Sequence, residues 1–104
     1  MKLGIVTRNR TLYSTRRLAQ AGRERGHDMH IIDPNRCTIS LIDGALETRR
    51  DGMVIDDFDC VIPRIGVDVD TWCFTLLRQL ELQGVPVLNT RQGTRIAANK
   101  VRML

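Results

Sequence analysis

Four short aliphatic runs, at residues 2–7, 29–32, 60–62 and 85–88, recur along the chain with amphipathic or turn-rich stretches between them. Brief uninterrupted apolar runs separated in this way read as strands buried on both faces, the habit of a parallel sheet covered by helices. The first of them leads through a polar turn (Arg8, Asn9, Arg10) into a helical pattern over about 13–25. Leu18, Ala19 and Ala21 or Gly22 supply the inner face of that helix, and Gly26 is its natural stop. His27 and Asp28 then lead into the second run, closed by Asp33-Pro34. Strand, helix and strand make one βαβ unit, whose crossover should be right-handed.

From 36 to 57 the pattern changes. Alternation over 38–42 is followed by Asp43-Gly44, a second strand-like piece, Asp51-Gly52 and a third piece at 53–55. Asp-Gly pairs between β-branched residues favour tight hairpin turns, so this part predicts an antiparallel ribbon inserted before the parallel pattern resumes. The third core strand ends at Pro63-Arg64-Ile65-Gly66. Asp70 then stands as N-cap of a helix whose buried stripe is Trp72, Cys73, Leu76, Leu77 and Leu80. Gly84 ends that helix, 85–88 reads as a fourth strand, and Thr90 can cap a short helix. Residues 99–104 begin another helical pattern that stops midway, the behaviour of a chain that continues. The sum is an α/β domain with about four parallel strands, helices on both faces and a β-ribbon insertion.

Composition narrows the function classes. A length of 104 residues with 42% hydrophobic content suits one packed domain. No apolar run approaches the ~20 residues of a membrane helix, and the N-terminal run is too short for a signal peptide, so neither membrane insertion nor export is expected. The formal charge is +4, and all but Lys2 and Lys100 of the sixteen basic residues are arginine. They are scattered among acids, with too few aromatics to stack bases, so the charge reads as a mixed surface rather than a nucleic-acid tail. Cys37, Cys60 and Cys73 have neither disulfide nor zinc spacing. Cys60 and Cys73 fall in apolar patterns, as small buried hydrophobes do, and free thiols point to a reducing cytoplasm.

Ligands of open α/β sheets gather beyond the carboxyl ends of the strands. The turn after the first strand contains no glycine, which excludes a dinucleotide fingerprint; Ser14 there can serve either as helix cap or as ligand contact. Arg64, just past a buried strand, places a guanidinium at the crevice, suited to a carboxylate or phosphate unless Asp33 or Asp68 pairs with it. Asn89 and Lys100 read from composition as a turn residue and a solvated charge. A phosphoreceiver would need acids where Thr7-Arg8 and Pro63-Arg64 stand. A hydrolase would need a nucleophile elbow, and His27 and His30 lie at the wrong end of the sheet, as surface residues.

The ordered set Thr11-Leu12-Tyr13-Ser14, Arg17-Leu18, Arg25-Gly26-His27, Asp33-Pro34, Cys37, Phe58-Asp59, Val61-Ile62-Pro63-Arg64-Ile65-Gly66, Leu77-Arg78-Gln79 with Glu81, and Leu88-Asn89 resembles the N-terminal domain of RimK-type glutamate ligases, of the ATP-grasp superfamily. The resemblance covers nearly the whole chain. It implies a Rossmann-like pre-ATP-grasp domain over 1–98, with 99–104 starting a linker helix to an ATP-grasp module. It implies ATP and Mg²⁺ (or Mn²⁺) as cofactors of the parent enzyme, an acyl-phosphate intermediate, and glutamate and a ribosomal protein C-terminal tail as partners. It further implies a parent that self-associates and a fragment that is inactive alone. Residue by residue, Arg64 and Gly66 match the loop facing the acceptor, Arg64 holding a substrate carboxylate, while Tyr13 and Ser14 line the neighbouring loop. Lys100 matches a lysine near the ATP phosphates, although Asn99 replaces the aspartate that precedes it in the family. No catalytic residue and no metal ligand is expected within these residues. The rival expectation is a stand-alone arginine-rich domain contacting ribosomal RNA or protein.

Overall fold

The computed structural model describes residues 1–9, 11–64 and 71–88. Strand β1 (Lys2–Val6) is followed by helix α1 (Tyr13–Glu24) and strand β2 (Asp28–Ile32), so the expected βαβ unit forms within a residue or two of its sequence boundaries. A 3-10 turn at Pro34–Arg36 leads to β3 (Cys37–Ile42), β4 (Ala45–Arg50) and β5 (Met53–Val54). Strand β6 (Cys60–Pro63) and helix α2 (Thr71–Leu82) complete the elements.

Strands β2, β1 and β6 form a parallel sheet in that order, with β1 central: Leu3 pairs with Met29 on one side and Cys60 on the other. Alternation along β1 then fixes the two layers. Ile5 packs with Ala19 of α1 and Met29, whereas Val6 packs with Ile32, Val61 and the α2 residues Leu76 and Leu80. Helices therefore cover both faces, as expected. Leu76 and Leu80 are wholly buried, each contributing about 2 kcal/mol of apolar transfer. Cys73 and Cys60 are buried with them. Gly4 gives this layer its closeness: a methyl group there would lie 2.5 Å from Ile32 Cδ1 and 3.2 Å from the Phe58 ring.

The expected fourth parallel strand is smaller than its sequence suggests. Among the described residues it is one parallel bridge, Val61 to Val87, held by Val61 N–H donating to the Pro86 carbonyl and Leu88 N–H to the Val61 carbonyl. The next register position past Leu88, the short helix at Thr90, the 99–104 segment and the cap at Asp70 all lie outside the described residues.

The inserted ribbon is a three-stranded antiparallel sheet, β3-β4-β5. Asp43 and Gly44 (φ 52° and 81°), and Asp51 and Gly52 (52° and 83°), adopt the paired left-handed conformations of type I′ turns. The ribbon docks on α2 through a buried polar set: the Thr48 hydroxyl donates to Gln83 Oε1, which also accepts from Gln79 Nε2 at 3.0 Å. Buried Gln79 thereby joins the stripe expected from its apolar neighbours. Trp72 Nε1 donates to the Pro34 carbonyl at 2.8 Å, tying α2 to the turn that opens the ribbon.

Candidate functional site

Parallel pairing puts the ends of β1, β2 and β6 on one edge, and two backbone hydrogen bonds lock that edge. Arg64 N–H donates to the Val6 carbonyl at 2.9 Å, and Thr7 N–H to the Ile32 carbonyl at 3.0 Å. Arg64 therefore stands where its sequence position implied, immediately past β6, with its side chain exposed. Asp33 does not pair with it, and among the described residues no carboxylate does; Asp68 and Gly66 lie outside them.

Tyr13 and Ser14 start α1 on the same edge, and both are exposed. The capping role considered for Ser14 is not what the structure shows. Leu12 occupies the N-cap position without a side-chain bond, and Ser14 already lies inside the helix. Asn9 organises the approach instead, its Oδ1 accepting from Thr11 N at 3.1 Å and from the Thr11 hydroxyl at 2.6 Å. An Asx turn of this kind sets the entry angle before the helix begins. Lys100 lies outside the described residues.

Beside Arg64, across β1, the ends of β1 and β2 and the base of the ribbon enclose a crevice of about 190 Å³. Thr7, Arg8, Asp33, Arg36, Arg50 and Asp51 line it. Strands spaced ~4.8 Å apart put the β2 and β6 ends about 10 Å from each other. Each charged group in the crevice is held by a specific bond. Arg36 Nε donates to Asp51 Oδ1 at 3.0 Å, Arg50 Nη1 to the Ile31 carbonyl at 2.8 Å, and Arg8 Nε to Asn35 Oδ1 at 3.1 Å. Asp33 Oδ1 accepts from Asn35 N–H at 2.9 Å, capping the 3-10 turn. Cys37 lies beneath this set with its thiol on the Asp33 carbonyl, 3.4 Å away. Burial pushes that thiol up to about 11; Arg50 opposes the shift, while Asp33 and Asp51 add to it. Neutral sulfur under a charged rim gives no nucleophile at neutral pH.

Residues 36, 50 and 51 were not singled out by the sequence pattern. The signal was present in the ribbon register: Cys37 pairs with Arg50, so the next position sets Arg36 against Asp51, with Asp51 N–H on the Arg36 carbonyl.

The opposite edge carries structural pairs. Lys2 Nζ donates to Asp57 at 2.7 Å and holds that carboxyl below its usual range, and a hydrogen bond from His30 does the same for Asp28. His30, expected at the surface, is half-buried and packs edge-on against Phe58, ring centroids 5.5 Å apart. Phe58 crosses the sheet face above Gly4, where the missing methyl leaves room, and so reaches His30.

Among the described residues no three His, Cys, Asp or Glu side chains gather as a metal site, and no helix is long and apolar enough to cross a membrane.

The chain is 41% identical over 104 residues to a protein of Alcanivorax borkumensis named "Probable alpha-L-glutamate ligase", covering 100% of this chain and 34% of that one. A protein of the same name from Xanthomonas oryzae pv. oryzae is 43% identical over 102 residues, 98% of this chain and 35% of its own. The chain thus spans about a third of the length of these relatives. The solved structure of ATP-grasp ligase PsnB complexed with minimal precursor, Mg and ADP superposes with a TM-score of 0.55 at 22% identity. That match covers 86% of this chain and 38% of the other, and shows a shared fold. A family model described as the RimK PreATP-grasp domain matches residues 1–94, and with relatives above 40% identity over the whole length the chain belongs to that family.

Proposed function

We propose that this chain is the N-terminal, substrate-side domain of an ATP-dependent carboxylate–amine ligase that adds glutamate to the C-terminus of a small-subunit ribosomal protein. In such a reaction a carboxylate oxygen takes the γ-phosphoryl group of ATP and releases ADP. The amine nitrogen then displaces phosphate to form the amide. The observation that carries the reading is the exposed guanidinium of Arg64 at the carboxyl end of the sheet, anchored through its backbone to β1. Its task is to hold a substrate carboxylate, for which a planar fork of donors is suited. In this reading the family match assigns Gly66, Tyr13 and Ser14 to the acceptor side and Lys100 to the ATP phosphates. ATP and Mg²⁺ (or Mn²⁺) are bound by the remaining two-thirds of the enzyme, so the 104-residue chain alone neither hydrolyses ATP nor ligates glutamate.

The test uses the full-length ligase that contains this chain. Losing a charge-assisted bond worth ~1.5–3 kcal/mol predicts that Arg64→Ala raises KM for the carboxylate substrate about 10- to 150-fold, with KM for ATP unchanged. Arg64→Lys should recover part of the loss. Equal KM values for both substrates in wild type and Arg64→Ala would refute the assignment.

A second reading has one observation in its favour. Arg16, Arg17 and Arg23 line an open groove of about 400 Å³ along α1, as an RNA-contacting domain could use. It predicts RNA binding whose log affinity falls steeply with log salt. A flat salt response would exclude it.

A further inference from the structure

The inserted ribbon leaves one strand edge unused. Asp51 N–H donates to the Arg36 carbonyl. Alternation from that bond turns the backbone groups of Thr38, Ser40 and Ile42 toward β4, and those of Cys37, Ile39 and Leu41 away from it. The Cys37 amide bends back onto the Pro34 carbonyl. Among the described residues, the N–H and C=O groups of Ile39 and Leu41 have no partner. The other strand edges are closed or short. On β2 the Arg50 guanidinium takes the outward Ile31 carbonyl, on β6 Val61 bridges to Val87, and β5 is two residues long. Native edges are usually blunted by a charge, a proline or a bulge. Strand β3 reads CTISLI and pairs with β4 in unbroken register, so it has none of these. Leu41 and Leu46, paired across the ribbon, are 69% and 50% exposed on the face that carries Ile39.

We infer that β3 pairs with β3 of a second copy of this chain, antiparallel about a two-fold axis at Ser40. Ile39 of each copy then faces Leu41 of the other, and each of these pairs exchanges both of its N–H···O=C bonds. Two-fold pairing centred on Ile39 or on Leu41 would need the Cys37 amide or the left-handed Asp43, both already committed. The Ser40 register alone satisfies every outward group of Ile39 and Leu41. It also sets Leu41 of one copy beside Ile39 of the other on one face, so the exposed Leu41–Leu46 pairs join a continuous apolar stripe. Charge favours a second copy. No ionised side chain lies within β3, so self-pairing opposes no like charges, and Asp43 of one copy comes to the end of the ladder where Arg36 of the other stands. Because the opposite edge, β5, is too short to pair further, the assembly closes at two. The inference does not rest on the ligase reading.

The experiment uses the full-length protein that contains this chain, at micromolar concentration. The two-fold axis puts the Ser40 Cα atoms of the two copies about 4.5 Å apart at a non-hydrogen-bonded position, within reach of a disulfide. Mild oxidation of Ser40→Cys should therefore give a covalent dimer that wild type, with Cys37, Cys60 and Cys73 buried, does not give. The same register sets Thr38 opposite Ile42. Thr38→Cys and Ile42→Cys chains should cross-link when mixed, and about tenfold less when either is oxidised alone. Adding Leu41→Pro removes an outward N–H that β4 does not use, and should cut the Ser40→Cys cross-link about tenfold or more while circular dichroism shows the fold retained. Failure of Ser40→Cys to cross-link overturns the inference. Its thiol then reacts with a soluble maleimide if the edge is bare, or is protected if the rest of the protein covers it. Equal cross-linking by Thr38→Cys alone would also overturn it, since another register or random collision would then account for the dimer. An oligomer that forms without any of these cross-links would place the contact on a different surface and reject this one.

Discussion

The Cys37 thiol offers a quantitative check on how tightly the ribbon closes over the sheet. Its side chain is 6% exposed, and burial raises its pKa from an ordinary 9.0 to about 11. Below pH 9 folded and unfolded chains both keep the proton, so this group adds no pH dependence. Between 9 and 11 the unfolded chain loses the proton while the folded chain retains it, and the equilibrium moves toward unfolding. Above 11 both are ionised and the dependence stops. Two pKa units at about 1.4 kcal/mol each predict a loss of about 2 to 3 kcal/mol across that window. That is a large share of the ~5–15 kcal/mol that keeps a domain of this size folded. Urea denaturation of wild type and Cys37→Ala at a series of pH values isolates the contribution: the substitution costs a pH-independent amount, while other titrating groups cancel in the difference. The wild-type-minus-variant curve should be level up to pH 9 and fall toward 11. Because Arg50 opposes the shift, Arg50→Gln should leave the onset near pH 9 and extend the falling limb to higher pH, with a larger total loss. A level difference curve over the whole range would mean that water reaches the sulfur, and the packing of the ribbon base as described would be wrong.

Three further outcomes are expected. Gly4→Ala should destabilise the chain by ~1–3 kcal/mol in urea melts, because the new methyl meets Ile32 Cδ1 and a buried Phe58 ring at once; Phe58→Leu in the same chain should recover part of it. Thr48→Val keeps the shape but removes the hydroxyl that donates to Gln83, and should cost about 1 kcal/mol with an unchanged m-value. Trp72→Phe removes the bond to the Pro34 carbonyl for a similar cost, and hydrogen exchange should rise first at the Arg36 amide, which closes that turn on the Asp33 carbonyl.

The parts of the fold most legible in the sequence are those fixed by local chemistry. Asp43-Gly44 and Asp51-Gly52 could be read as hairpin turns because few residue pairs tolerate two consecutive left-handed conformations. The helix stripe of Leu76 and Leu80 could be read because its period matches the burial it meets. What escaped depends on tertiary placement. The run at 85–88 is apolar enough for a strand, yet its ladder among the described residues is one bridge, a matter of register that composition does not carry. Ser14 has the chemistry of a cap but falls two positions late, since the Asn9 turn sets where the helix begins. Arg64 was legible because a strand end dictates its position. Arg36, Arg50 and Asp51 were not, because each looks like an ordinary surface charge until the hairpin is zipped to its base.

Among the described residues, charge is arranged differently at the two edges of the parallel sheet. Helix α1 begins at the carboxyl edge with no acidic residue in its first turn, so the partial positive charge of its N-terminus is left uncompensated, and Arg16 follows directly. A cation near that end forgoes ~0.3–1 kcal/mol that an aspartate or glutamate would supply. Arg64, just past β6, carries an exposed cation on the same edge. On the opposite edge Lys2 is matched by Asp57 at 2.7 Å, and the His30 imidazole lies 3.0 Å from Asp28. A chain optimised only for folding would gain by neutralising both edges in the same way. Among the described residues, the α1 terminus and Arg64 therefore forgo a stabilisation that the opposite edge takes up, a difference that folding alone does not require.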